Sequence, residues 1–150
     1  MAYQVSIFLE NKIGHLERVT AVLKAAQINI RTMNLNHTAS GWGILNLVVS
    51  NPVQAHHLLN ENGLSAALRE IVVIEMMDQP GGLDDLLKEI VKAQVNFTNA
   101  YGRSAYASEK AYFVIDTEDV RDARHKLQQA GLRILSDETI YGNSKNNPTI

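Results

Sequence analysis

Two short segments combine residue types and spacing suited to ligand chemistry: Asn11-Lys12-Ile13-Gly14-His15-Leu16 and Asp78-Gln79-Pro80-Gly81-Gly82-Leu83. Each follows a run with strand character and opens a run with helical character. At a helix start the first backbone N–H groups have no partner within the helix, and the positive end of the helix dipole favours an anion such as a carboxylate. Glycine lets a ligand approach the backbone. The Asn or Asp three residues before the glycine can meet an ammonium group, so one loop has complementary features for a zwitterionic amino acid. A glycine at a β–α turn also serves as a plain tight turn, and that reading stands beside the functional one.

The elements that must position these loops occur twice. Gly81 follows Gly14 at an offset of 67, which also carries Ile28-Asn29-Ile30 onto Val95-Asn96-Phe97, and one residue more carries Asn62-Gly63-Leu64 onto Ala130-Gly131-Leu132. Tyr3, Val5, Ile7 and Leu9 alternate with Gln4, Ser6 and Glu10, a period of two that marks a strand with one buried face; Phe8 breaks the polar side. Leu16, Val19, Leu23 and Ala26 recur at helical spacing behind Gly14, as do Leu83, Leu86, Leu87, Ile90 and Val91 behind Gly81. Residues 29–37 and 44–49 read as a hairpin joined by Ser40-Gly41-Trp42-Gly43, repeated at 95–103 and 111–115. Asn51-Pro52 starts a second helix that stops at Gly63; its counterpart carries Val120, Ala123, Leu127 and Ala130 and stops at Gly131. Residues 132–140 are expected to form a closing strand.

The series is β-α-β-β-α-β in each copy, an α+β fold of two ferredoxin-like units with helices on one face of antiparallel sheets. One irregularity stands out. Between the copies a single strong strand, 71–77, occurs where two separate units need two, so either 64–68 is a short, poor strand or one strand is shared or exchanged. No long linker separates the copies, so the two units are expected to pack against each other.

Composition narrows the function classes. The chain has 150 residues, 45% of them hydrophobic and 20% charged, with 14 Lys+Arg against 16 Asp+Glu. That balance supports a globular core and lacks the basic footprint of a nucleic-acid binder. Cysteine is absent, which removes disulfides, thiolate metal sites and thiol nucleophiles. With no basic-apolar leader and no apolar run of about 18–20 residues, the expected setting is the cytoplasm, without membrane contact.

The strand, then Asn11-x-x-Gly14-x-Leu16, helix, and Ile28-Asn29-Ile30, with the same elements around Asp78-x-x-Gly81-x-Leu83, resembles the ACT domain family of small-molecule regulatory modules. The likeness covers nearly the whole chain as a tandem pair, 1–70 and 71–142, followed by a loose tail, 143–150. It implies units that pair side by side into a larger sheet and hold a free amino acid at their interface, with the strand-to-helix loop as one wall. Carried over position by position, Asn11, Ile13, Gly14, His15 and Leu16 line one site, and Asp78, Pro80, Gly81, Gly82 and Leu83 the other; the facing second strand adds Asn34 and Tyr101 by position alone. Copy one departs from the pattern, with Asn11 where many members carry Asp and Ile13 where Pro is common, so the two sites are expected to differ in ligand or occupancy. The resemblance implies a regulatory homodimer without a catalytic role, cofactor or metal. The alternative is an accessory subunit that docks on a partner metabolic enzyme without binding an amino acid itself.

Other constellations are weaker. His56 and His57 are adjacent on a helix and diverge by about 100°, which argues against a shared metal site. Asp84 and Asp85 stand in a helix first turn, where acids stabilise the dipole. His15 or His37 as the base of a small enzyme lacks any supporting motif, since no Walker loop, Gly-x-Ser-x-Gly elbow or His-Glu-x-x-His helix occurs. Trp42, Phe97, Tyr101, Tyr106, Tyr112 and Phe113 invite an RNA-stacking reading, but the basic-aromatic strand motif is missing.

Overall fold

The alternation of Val5, Ile7 and Leu9 builds β1 (Ala2–Glu10), and α1 (His15–Ala25), β2 (Ile30–His37), β3 (Trp42–Val49), α2 (Pro52–Glu61) and β4 (Ser65–Met77) follow. The second series is α3 (Gly82–Lys92), β5 (Asn99–Ser104), β6 (Lys110–Asp116) and α4 (Val120–Gln129). This is a computed structural model, and it describes residues 1–105, 108–136 and 139–140. Tyr106 and the tail 143–150 lie outside the described residues. The fold is α+β, with six strands and four helices among the described residues, arranged as two βαββαβ units with helices on one sheet face.

The chain divides into two compact units, built mainly of Tyr3–Arg69 and Glu70–Ser136. In the first, the strand order runs β2-β3-β1, and antiparallel register sets Val5 opposite Leu47 and Ile7 opposite Leu45. Residues of one parity on neighbouring strands share a face, so these four form one apolar surface. It packs on Val19 and Leu23 of α1 and Ala55 and Leu59 of α2. In the second unit the order is β4-β6-β5, with Val72 opposite Ile115 and Ile74 opposite Phe113. Leu86, Ile90, Ala123 and Leu127 close that core. Asn51 Oδ1 accepts from the Gln54 N–H at 3.1 Å and Asp119 Oδ1 from the Asp122 N–H at 3.0 Å, capping α2 and α4 as N-cap side chains do.

The irregularity between the copies resolves into one long strand. β4 has 13 residues, and the unit boundary at Arg69/Glu70 falls inside it. Ala66 and Leu68 pack on the first core; Val72, Ile74 and Met76, of the same parity, serve the second. The first half reads poorly as a strand because Ala66 and Ala67 have low β-propensity and little side chain to alternate.

The closing strand expected over 132–140 is a correction. Among the described residues it is one bridge, Ile134 opposite Ile74, supported by Glu75 N–H to Arg133 O and Leu135 N–H to Val73 O, both at 2.9 Å. Leu132 and Ile134 pack on the second core, but from Ser136 the sequence turns polar and has no further apolar alternation to bury. Thr139 and Ile140 are helical.

All four helices end in the same way. The N–H groups of Ile28, Leu64, Val95 and Leu132 reach back to the carbonyls of Leu23, Leu59, Ile90 and Leu127, each an apolar pair five residues apart, as in a Schellman motif. The residue before each apolar partner takes a left-handed conformation. It is Gly63 or Gly131 after α2 and α4, but Gln27 and Gln94, both at φ 55°, after α1 and α3. A side chain in that region costs about 1–2 kcal/mol, partly offset by the greater chain entropy of glycine. Gln94→Gly is therefore expected to stabilise the protein by about 0.5–1 kcal/mol, read as a higher urea midpoint at unchanged slope; a lower midpoint contradicts the cap assignment.

Candidate functional site

The two loops share a backbone design. The N–H groups of Asn11 and Asp78 each donate at 2.8 Å, to Gly41 O and Glu109 O, tying the loop to the start of the neighbouring strand. His15 N–H donates to Lys12 O at 3.2 Å, and Gly82 N–H to Gln79 O at 2.9 Å, closing the turn. Gly14 (φ 87°) and Gly81 (φ 83°) are the N-caps of α1 and α3, and neither helix has a side-chain cap. A Cβ built on either glycine meets no atom within 4 Å. Each loop thus presents an uncapped helix start with open space above its glycine. A small anion can accept from the first-turn N–H groups there.

The electrostatics differ between copies. Lys12 pairs with Glu10, and this ammonium neighbour holds the Glu10 carboxyl below the usual carboxylate range. His15 begins α1, whose first turn carries Glu17 as its acid. The second loop begins with Asp78, and both Asp84 and Asp85 stand in the first turn of α3. Copy one is the more favourable for a carboxylate, and copy two for a cation. Ile13 is fully exposed at 105%, whereas Gly82 is buried and a Cβ built there would meet the Met77 carbonyl oxygen.

The five loop residues in each copy are held within one turn by their closeness in sequence, though in copy one Ile13 faces solvent while Leu16 packs on the core; Asn34 and Tyr101 stand apart from them within their own units. Asn34 lies opposite Asn46, and Asn46 opposite Ser6, four residues before the end of β1, about 13 Å along the strand. Tyr101 lies opposite Val114, and Val114 opposite Val73, in the matching row of the second unit. Tyr101 is buried. Asn34 is half-buried, and its Oδ1 accepts from Asn36 Nδ2 at 2.9 Å.

Sequence reasoning missed the polar row on the sheet face away from the helices. Ser6 Oγ donates to Asn46 Oδ1 at 2.7 Å, Gln4 Nε2 reaches Ser6 Oγ at 3.4 Å, and both Gln4 and Asn46 are buried. Alternation alone reads such residues as a solvent face. The signal in the sequence was that Val73 stands at the position of Ser6 in the second copy; strand register adds that Val114 occupies the place of Asn46. Phe8, which breaks the alternation, stacks on Trp42 with ring centroids 4.6 Å apart.

The remaining chemical candidates stay apart. His57 Nε2 meets Glu61 Oε1 at 3.1 Å across one helical turn on the surface. Among the described residues no group of three or more His, Asp or Glu is placed to hold a metal ion, and no helix is long and apolar enough to cross a membrane.

The comparisons with known proteins agree with this architecture. The chain is similar to protein BT0572 from Bacteroides thetaiotaomicron, at 28% identity over 95% of this chain and 96% of that one, with a TM-score of 0.86. It shares its fold with the ligand-free regulatory subunit of aspartate kinase from Thermus thermophilus, at 16% identity, 86% and 92% coverage and a TM-score of 0.62. The corresponding subunit from Thermus flavus gives 17% identity, the same 86% and 92% coverage, and a TM-score of 0.58. No curated protein matches it in sequence. The family model described as an ACT domain pair matches residues 1–142. With two βαββαβ units and nearly its whole length matched, the chain belongs to the ACT domain family as an ACT domain pair.

Proposed function

We propose that this ACT domain pair is a regulatory protein that binds a free amino acid at its β–α loops, as a homodimer in which binding favours one arrangement of units over another. The observation that carries the reading is the duplicated, uncapped helix start with open space at Gly14 and Gly81. The shared fold of the aspartate kinase regulatory subunits supports a regulatory role. A ligand shifts such an equilibrium only by the difference in its affinity for the two arrangements. The carboxylate of the amino acid takes the first-turn N–H groups, and the carboxamide of Asn11 or carboxylate of Asp78 takes its ammonium group. Because α3 starts with two acids and α1 with one, the loop at Gly14 is the stronger carboxylate site.

A thermal-shift scan against the twenty amino acids tests this. Ligand at 100 times its dissociation constant stabilises by about 2.7 kcal/mol, roughly a 5–10 °C rise for a chain of this size. A selective rise with one chemical group of amino acids is expected. Gly14→Val is expected to abolish most of it and Gly81→Val less, since each side chain enters space that is empty of protein atoms. No rise with any amino acid at millimolar concentration, in a sample with native circular dichroism, overturns the reading and leaves the accessory-subunit alternative.

A further inference from the structure

The duplicated helices α1 and α3 meet the same demand, to cover one sheet face, yet they differ where that demand ends. Their inward positions match: Val19 and Leu23 in α1, Leu86 and Ile90 in α3, all buried. Beside this buried row α3 carries a second apolar ridge, Leu83, Leu87 and Val91, at successive intervals of four. Leu83 is 45% and Val91 74% exposed, and Leu87 is half-buried at the edge of the core. The same three positions in α1 hold Leu16, Thr20 and Lys24, and the Thr20 hydroxyl is occupied by the Glu17 carbonyl at 2.9 Å. Leu16, the counterpart of Leu83, packs partly buried on the first core, but Thr20 and Lys24 stand where Leu87 and Val91 do, so core packing does not require apolar residues at those two positions.

We propose that the Leu83/Leu87/Val91 ridge of α3 is a self-association surface on which a second copy of this chain lays its own α3, antiparallel across a two-fold axis at Leu87. The ridge is self-complementary in that orientation, as a two-fold interface demands: Leu83 of each copy meets the other copy's Val91, and the two Leu87 side chains meet at the axis. The charges beside the ridge match too. Asp84 and Lys88 border it one turn apart, their side chains pairing at 2.7 Å within the helix. Antiparallel reversal about Leu87 sets Asp84 of each copy about 3 Å, along the axis, from the level of Lys88 in the other, two opposite-charge pairs against a single Lys88–Lys88 approach at the same axial offset. A parallel arrangement sets like charges side by side. The helix dipoles also oppose favourably. A helix of 11 residues is only about 16 Å long, so this contact alone falls below the ~1,200 Å² of stable interfaces and gives a concentration-dependent dimer. The inference stands independently of amino-acid binding.

Sedimentation velocity from micromolar to several hundred micromolar protein, without amino acid, tests it. Wild type is expected to dimerise over this range, and Val91→Asp to weaken the dimer by at least about tenfold with an unchanged melting curve, since Val91 contributes little to the core. Asp84→Lys and Lys88→Asp are each expected to weaken self-association, and an equimolar mixture of these two variants to restore a dimer, because only the mixed pair juxtaposes opposite charges. A monomeric wild type throughout, or a dimer indifferent to Val91→Asp, overturns the proposal; so does a mixture no stronger than its components.

Discussion

Ile74→Ala is expected to be the most damaging single truncation in the second unit, lowering stability by about 3–4 kcal/mol. Ile74 is fully buried and lies in the second core among Leu86, Ile90, Phe113 and Leu127. Its backbone stands between two partners, Phe113 in the β4–β6 ladder and Ile134 in the closing bridge. With strands held on both sides, the site has little freedom to collapse into the vacated volume, which places the cost in the upper part of the range for such truncations. Urea unfolding followed by circular dichroism measures it, and hydrogen exchange shows whether the loss falls first on residues of the second unit. A cost under 1 kcal/mol contradicts the packing described.

Gly82→Ala is expected to cost about 2–3 kcal/mol, through overpacking against backbone. A Cβ at this position lies 2.3 Å from the Met77 carbonyl oxygen, and no flexible side chain can give way. Relief requires β4 and the start of α3 to move apart at the turn closed by Gly82 N–H to Gln79 O. The neighbouring Gly81 makes an internal control. Its positive φ opposes a side chain, but the space around it is open, so Gly81→Ala carries only the left-handed penalty of about 1–2 kcal/mol. Equilibrium unfolding of the two variants side by side checks the order; equal costs remove the close approach as the explanation.

The pair of glycines shows how far the sequence reached. Both belonged to a motif that resembles an ACT loop, and the repeat offset identified the loops, the helices behind them and the two-unit α+β fold. Nothing in the motif separates a glycine that faces empty space from one that must leave room for a carbonyl. His15, which occupies the position of Gly82 in copy one, shows that the loop itself does not demand glycine there. Likewise Asn34 and Tyr101 matched by offset, and they lie in equivalent register, on rows five residues before the start of their own loops. Whether a second chain brings either near a loop is part of the homodimer proposal.

What the sequence determined by itself was local and periodic. Alternation at Val5, Ile7 and Leu9, helical recurrence at Leu86 and Ile90, and the cap at Asn51 act within a few residues, so they survive in a one-dimensional reading. Tertiary structure alone decided the rest: that β4 runs unbroken through a weak alanine stretch, that the closing strand shortens to one bridge at Ile134, that Gln27 and Gln94 take a conformation usually left to glycine, and that buried Gln4 and Asn46 join half-buried Ser6 in a polar row. Each of these depends on neighbours distant in sequence. Burial of Ala66 and Leu68 on one core, or a carbonyl waiting at Leu23 or Ile90, outweighs a local propensity of about 1 kcal/mol, and no pattern along the chain records which partner will be there.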